Sequence, residues 1–404
     1  REEGMTLEDA TAGDELLHPI HPTIPNTVDL VRALRLISGD PGVLDEDDVS
    51  NHVLPLARQL GSVEHLVVVV ADGLGLGMLE HLPGESSLRR FLVRELRAVY
   101  PSTTAVALTT IAAASWPYRH GITGWWTHLP EIGRTVAILP FVERGSGRPF
   151  HAYASSAGEI IRVRTAWQSS LRDVAVIIPP QIKPGSYNSW FHQGVRRVRR
   201  KPIGGVAKTV GRLVRRGKGP TLSYVYLPEV DHAAHHHGPD AAETEAAVAA
   251  IEKVVDELRC RLPPESRIIV TADHGHISTP RDKETVVGPD HELMTLLTAP
   301  PSGDVRSIQF FVKPHYRREF PERFRELLGT ERFLLGSTDE LIQTKMLGPG
   351  VPDDAVRSRW GDFTAIARNH NSFEFVLAGD RPKAFVGSHS GLSPEEMRVP
   401  LIVF

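Results

Sequence analysis

Short, unbroken apolar runs recur along the chain, at residues 66–71 (LVVVVA), 174–178 (VAVII), 224–227 (YVYL), 268–272 (IIVTA) and 399–404 (VPLIVF). They do not alternate apolar with polar and they favour β-branched side chains. That pattern belongs to strands covered on both faces, as in a parallel sheet. Between them lie stretches with apolar residues at helical spacing, among them 87–98 and 241–262. Strands alternating with helices predict an α/β fold: a doubly wound, mostly parallel central sheet flanked by helices. Ligands of such sheets bind just past the carboxyl ends of the strands.

The pattern also predicts a division of the chain. Residues 1–25 read as an N-terminal arm, and 26–285 together with 370–404 as the α/β core. Residues 286–369 are rich in proline, glycine and charge, with one strand-like run at 308–312 and an amphipathic piece at 317–328. They read as an inserted lobe or cap.

The residues just past the strands carry the chemistry. Run 66–71 is followed by Asp72-Gly73, run 224–227 by Pro228-Glu229-Val230-Asp231, and run 268–272 by Asp273-His274-Gly275-His276. One strand-end aspartate usually forms a turn or caps a helix. Three at one sheet edge, two of them beside histidines, point to a metal site. Asp231 and His235 are spaced i, i+4, so one helical turn or a tight loop can aim both at one ion. Of the neighbouring His232, His236 and His237, at least two are expected to face solvent. His389 stands in a glycine-serine loop before the last run. Pro101-Ser102-Thr103-Thr104 opens an apolar, small-residue segment, 105–115, that reads as a packed helix with Ser102 as its N-cap. A hydroxyl in that first turn faces free backbone N–H groups and the positive end of the helix dipole, where a phosphoryl oxygen can be held.

Composition adds bounds. The 404 residues carry a net charge of −3, with 41% hydrophobic and 24% charged residues, so no global field points to nucleic acid or membrane. A single cysteine, Cys260, excludes an internal disulfide. No apolar run approaches the ~18 residues of a membrane span. Residues 1–14 are polar and acidic and lack a signal peptide's apolar segment, which gives the expectation of a cytoplasmic protein; the chain opens on Arg1 rather than Met, so this holds for these residues alone. Histidine occurs 19 times, and it is the commonest metal ligand.

Taken in order, Asp72-Gly73, Pro101–Thr104, Asp231–Pro239, Asp273–Gly275 and Gly387–Pro400 resemble the signatures of the alkaline phosphatase superfamily, in its type I phosphodiesterase/nucleotide pyrophosphatase branch. The resemblance runs from about Leu66 to the C-terminus. It implies a hydrolase of phosphoric esters, most readily phosphodiesters, with Thr104 as nucleophile and two zinc ions, other divalent metals such as manganese being possible. By the same resemblance Asp72, Thr104, Asp273 and His274 hold one ion, and Asp231, His235 and His389 the other. The implied substrate is a small phosphate ester, with no nucleic-acid partner. One departure stands out: the branch's phosphate-binding asparagine, three residues past the nucleophile, is here Ala107.

Other readings compete. Phosphomonoesterases, phosphotriesterases and phosphonate hydrolases belong to the same superfamily. Arg119 and His120 are the basic residues of the motif segments positioned by sequence to serve a third phosphate oxygen, as a monoester requires. Trp125, Trp126 and Tyr118 read equally as core or as a stacking surface. Gly73-Leu-Gly-Leu-Gly77 lacks the GxGxxG spacing of a dinucleotide site. Sulfatases need a Cys-x-Pro-x-Arg motif that the segment around Cys260 does not supply. Residues 196–218 hold ten Lys/Arg and no acid, the mark of a polyanion-binding module or, more simply, of a solvated helix face. A structural zinc site would be rich in cysteine.

Overall fold

The computed structural model describes residues 7–12, 15–179, 182, 184–199, 202–329, 331–378, 382 and 385–404. Its centre is a seven-stranded sheet in the order Leu92–Arg97, Arg398–Val403, Ser266–Thr271, His65–Ala71, Thr221–Leu227, Asp173–Ile178, Arg196–Arg199. The five strands from Ser266–Thr271 to Arg196–Arg199 pair in parallel. Every residue of His65–Ala71 and Thr221–Leu227 is buried, as strands with helices on both faces must be.

The three middle strands end together. Thr271 lies opposite Val70, and Ala71 opposite Leu227. Asp72, Asp273 and the helix Glu229–His237 therefore leave the sheet at one edge. The expected mostly parallel α/β architecture is what the chain adopts.

Two local expectations differ from the structure. Residues 87–98 do not form one helix: a short helix, Ser87–Arg90, gives way to the edge strand Leu92–Arg97, antiparallel to Arg398–Val403. Helix propensity differs by only tenths of a kcal/mol among ordinary residues. A ladder of hydrogen bonds and the Phe91–Phe404 ring contact at 4.6 Å outweigh it. The last run, grouped above with the parallel strands, is antiparallel to both neighbours. It descends from the carboxyl edge through only the short helix Pro394–Met397, and without a crossover it cannot run parallel. The helices expected at 241–262 and within 317–328 are present as Ala242–Arg261 and Phe320–Leu328.

A second seven-stranded sheet combines Trp126–Leu129, Arg134–Ala137 and Val142–Glu143 with Leu297–Asp304, Ser307–Val312, Phe333–Ser337 and Phe363–Ala367. It packs on a phenylalanine-rich core of its own, including Phe310, Phe320, Phe324, Phe333 and Phe373. The basic stretch is split between the edge strand Arg196–Arg199 and the helix Val206–Arg216, which buries Val206, Ala207, Val210 and Val214. Arg196 pairs with Asp173 at 2.9 Å. This is a core-packed helix with a solvated basic face. No described helix is long and apolar enough to cross a membrane.

Candidate metal centre

The helix after the cis Tyr100-Pro101 bond runs Thr104–Ala113. Its N-cap is Thr103, not Ser102 as expected from sequence, and the Thr103 side chain makes no capping bond. Tertiary partners take both hydroxyls: Ser102 donates to the Gly391 carbonyl at 2.7 Å, and Thr103 donates to Asp304 Oδ2 at 2.6 Å. Thr104 thus becomes the first helical residue. Its Oγ1 lies 3.1 Å from His274 Nε2, at the positive end of the helix dipole.

Two carboxylates face that hydroxyl's partner. Asp273 Oδ1 accepts from the N–H groups of Gly73 (3.1 Å) and His274 (3.0 Å). Asp72 Oδ2 accepts from the Tyr226 hydroxyl. Their other oxygens, Asp72 Oδ1 and Asp273 Oδ2, are buried and without a hydrogen bond, each 3.4 Å from His274 Nε2. Burial, with the charges of Asp273 and Asp231 added, pushes the Asp72 carboxyl well above the usual carboxylate range. Buried like charges with bare oxygens call for a cation.

A second group of donors lies alongside. Asp231 and His235, one turn apart on Glu229–His237, approach to 3.3 Å between Oδ1 and Nε2. His389 Nε2 is 3.2 Å from His235 Nε2 and 3.6 Å from Asp231 Oδ1. Asp231 is desolvated, yet the imidazoles of His235 and His276 beside it hold its carboxyl well below the usual range. Burial and three neighbouring imidazoles keep the His389 ring far below the ordinary histidine value. Tetrahedral ligands ~2.0–2.1 Å from a zinc ion stand about 3.3 Å from one another, the spacing found here.

The ring orientations fit the same reading. Nδ1 of His235 lies 2.8 Å from the Gly387 carbonyl, Nδ1 of His274 3.0 Å from that of Gly275, and Nδ1 of His389 3.1 Å from that of Ser102. A carbonyl only accepts, so each Nδ1 carries a proton, which leaves Nε2 as the ring atom that can coordinate a metal. The facing Nε2 atoms of His235 and His389, 3.2 Å apart, fit a cation between them. Asp72, Asp273 and His274 form one group that could hold an ion; Asp231, His274, His276 and His389 form another, their ligand atoms within 4.8 Å of one another. The residues present fit a divalent pair.

The seven residues singled out from sequence, Asp72, Thr104, Asp231, His235, Asp273, His274 and His389, are therefore brought to one sheet edge. His232, His236 and His237 are exposed, and Ala107 is buried within its helix. Four residues close to the site escaped sequence reasoning. His276 sits with its Nε2 2.9 Å from Asp231 Oδ1; its place two residues after His274 was a signal that could have found it. Tyr226 and Arg306 carried no such signal, and Glu396 lies within the Gly387–Pro400 motif, which did not single it out. Arg306 and Glu396 form a fully buried pair, Nε to Oε1 at 2.8 Å. Glu396 also accepts from the N–H of Gly391 (2.7 Å) and Ser393 (3.1 Å), and the Arg306 N–H donates to Ser390 Oγ (3.0 Å). Ser390 holds φ at 106°, a strained conformation for a residue with a side chain, beside the ligand candidate His389.

Arg119 and His120 do not face the site. Arg119 bonds the Tyr118 hydroxyl (2.7 Å) and approaches Asp48. His120 is buried against Thr110 and Ile122. Tyr118 and Trp116 are core residues, whereas Trp125 and Trp126 line a cavity of about 400 Å³ with Arg144, Asp304, Glu374 and Phe375.

No curated protein sequence matches the chain significantly. Among solved structures, phosphonoacetate hydrolase from Sinorhizobium meliloti 1021 in complex with phosphonoformate is similar, with a TM-score of 0.61 and 18% identity over 83% of this chain and 89% of that one. Murine ectonucleotide pyrophosphatase/phosphodiesterase 5 in complex with AMP gives 0.59 and 14% over 83% and 87%, and its human counterpart 0.58 and 14% over 84% and 87%. At these identities the likeness speaks for the fold. The family model for type I phosphodiesterase/nucleotide pyrophosphatase matches residues 66–392, a span holding every donor described above. The chain belongs to that family, in the alkaline phosphatase superfamily, whose members are hydrolases of phosphoester bonds.

Proposed function

We propose that the protein hydrolyses phosphodiesters with Thr104 as nucleophile and a pair of zinc ions, one held by Asp72, Thr104, Asp273 and His274 and the other by Asp231, His235 and His389. The observation that carries this reading is Thr104 itself: a hydroxyl at a helix N-terminus, 3.1 Å from His274 Nε2, beside two bare carboxylate oxygens. Bound zinc would supply Lewis acidity, lowering the pKa of the Thr104 hydroxyl and offsetting charge on the phosphoryl oxygens. Thr104 Oγ1 forms a bond to phosphorus as the bond to the leaving oxygen breaks. Water then cleaves the threonine–phosphorus bond. The backbone N–H groups of the first helical turn meet a phosphoryl oxygen, the part an asparagine would otherwise play at Ala107. Tyr226 and the N–H groups of Gly73 and His274 fix the two carboxylates, so little reorganises during the reaction.

A diester bears one negative charge and a second substituent. The cavity walled by Trp125, Trp126 and Phe375 lies one hydrogen bond away from the nucleophile segment, through Asp304 and Thr103, and can take that substituent. Arg119 and His120, the candidates for a monoester's extra charge, are engaged elsewhere. Turnover of an aryl phosphodiester quenched in acid should leave on Thr104 the phosphoryl group still bearing its second ester substituent, visible by peptide mass spectrometry. That adduct on another residue, or none during normal turnover, would overturn the assignment. Phosphonoacetate, the substrate class of one structural neighbour, belongs in the same assay: faster cleavage of its carbon–phosphorus bond would move the protein to the phosphonate hydrolases.

A further inference from the structure

His276 follows two residues after His274 yet differs from the three histidines around it in one respect. Nδ1 of His235, His274 and His389 each donates to a backbone carbonyl. Nδ1 of His276 is buried with no partner. Its Nε2 lies 2.9 Å from Asp231 Oδ1, which only accepts. A ring coordinating metal through Nε2 must carry its proton on Nδ1, and here that would leave a buried N–H donor unpaired, which folding disfavours. The opposite tautomer, with the proton on Nε2, makes the hydrogen bond to Asp231 and leaves only a lone pair unpaired.

The surroundings hold the ring in that pose. The His276 side chain is fully buried and stands edge-on to His235, ring centroids 4.7 Å apart at 86°, and to His389 at 5.0 Å and 81°. Gly73 has φ of +75°, and a Cβ there would come within 2.8 Å of His276 Cδ2. The glycine after Asp72 thus gives space to the imidazole as well as a turn to the backbone.

We infer that His276 is a positioning residue: as the Nε2–H tautomer it donates to Asp231 Oδ1 and fixes that carboxylate for the ion shared with His235 and His389, without itself binding the ion. This rests on the two-metal reading proposed above. It gives the site an imidazole-to-carboxylate contact that sets how tightly the Asp231 ion is held.

The test uses the zinc-loaded protein, His276→Gln, whose amide N–H can replace the donor, and His276→Ala. Zinc affinity is read by competition with a chelating dye, and the ligand set by X-ray absorption at the zinc edge. The expected result is three imidazoles shared by the two ions in wild type and in His276→Gln, with the glutamine variant within about threefold of wild-type affinity. His276→Ala should weaken the less tightly held zinc by about 10–100-fold. A fourth imidazole in wild type, lost in His276→Gln, would make His276 a ligand and overturn the inference. Unchanged affinity in His276→Ala would make it a bystander and also overturn it. If His276→Ala fails to fold, the imidazole count and the affinity of His276→Gln decide. Wild-type protein that binds no zinc would instead sink the two-metal reading, a distinct outcome.

Discussion

The rings of His274 and His389 stack with centroids 3.7 Å apart and planes 18° apart. One stands at the end of a central strand, the other in the loop before the last strand, and each turns Nε2 toward a different cluster of donors. The stack makes the two clusters neighbours, which a pair of ions acting on one phosphorus requires.

Protein purified without chelator should accordingly contain about two zinc ions per chain by elemental analysis. Exhaustive chelation should abolish turnover and lower the melting temperature, because an ion bound only by the folded state stabilises it. A chain free of metal and fully active would rule out the mechanism.

Replacing the proposed nucleophile should cost catalysis and little else. Thr104→Ala should lower kcat by about 10³-fold or more, with zinc content and folding largely kept, since the lost interaction exists only in the transition state. Thr103→Val removes one hydrogen bond to Asp304, worth about 1 kcal/mol of stability, and should reduce turnover far less. The reverse ranking would shift the nucleophile to Thr103.

Substrate charge gives a third expectation. A nitrophenyl phosphodiester should be cleaved with kcat/KM at least about tenfold above the matching monoester, which asks only ~1.4 kcal/mol of differential transition-state binding. Steady-state kinetics with several leaving groups would decide. Faster monoester cleavage throughout would indicate phosphatase chemistry.

The pair Arg306–Glu396 should matter for the fold and for His389 together. Glu396→Gln leaves Arg306 buried without its countercharge, a loss of about 3–5 kcal/mol, measurable by urea unfolding. It also loosens Gly391 and Ser393, so zinc affinity should fall alongside stability. Arg306→Met with Glu396→Met should recover part of the loss and not all, because those two N–H groups stay unpaired. Full stability in Glu396→Gln would refute the account.

His120 provides a pH signature away from the candidate metal centre. Its burial, with the charge of Arg359, lowers its pKa from 6.5 to about 3. Nδ1 accepts from the Ile122 N–H at 3.2 Å, so Nε2–H donates to Thr110 Oγ1 at 3.1 Å, and the neutral ring is fully used. The folded value lies below the unfolded one, so as pH falls below 6.5 the unfolded chain takes the proton first. The stabilisation is complete above that value and is lost progressively toward about pH 3. His120→Gln, measured by urea midpoints from pH 7 to 4, should show a shallower decline than wild type. Parallel declines would refute it.

The sequence alone determined the strands that lead to Asp72, Asp231 and Asp273, the order of the motifs, and the i, i+4 pairing of Asp231 with His235. These depend on neighbours within one element, where apolar periodicity reports which faces are covered. Tertiary structure decided the rest. Leu92–Arg97 became a strand because Arg398–Val403 offers it a ladder. The last strand runs antiparallel because no crossover precedes it. The second sheet joins Trp126–Leu129 to Leu297–Asp304, a pairing that no local pattern encodes. Ser102 and Thr103 were drawn from capping by Gly391 and Asp304, and Tyr226 reaches Asp72 only because their strands are neighbours. Each of these contacts joins residues far apart in the chain, so it depends on the register and closure of the whole fold, which a one-dimensional pattern does not carry.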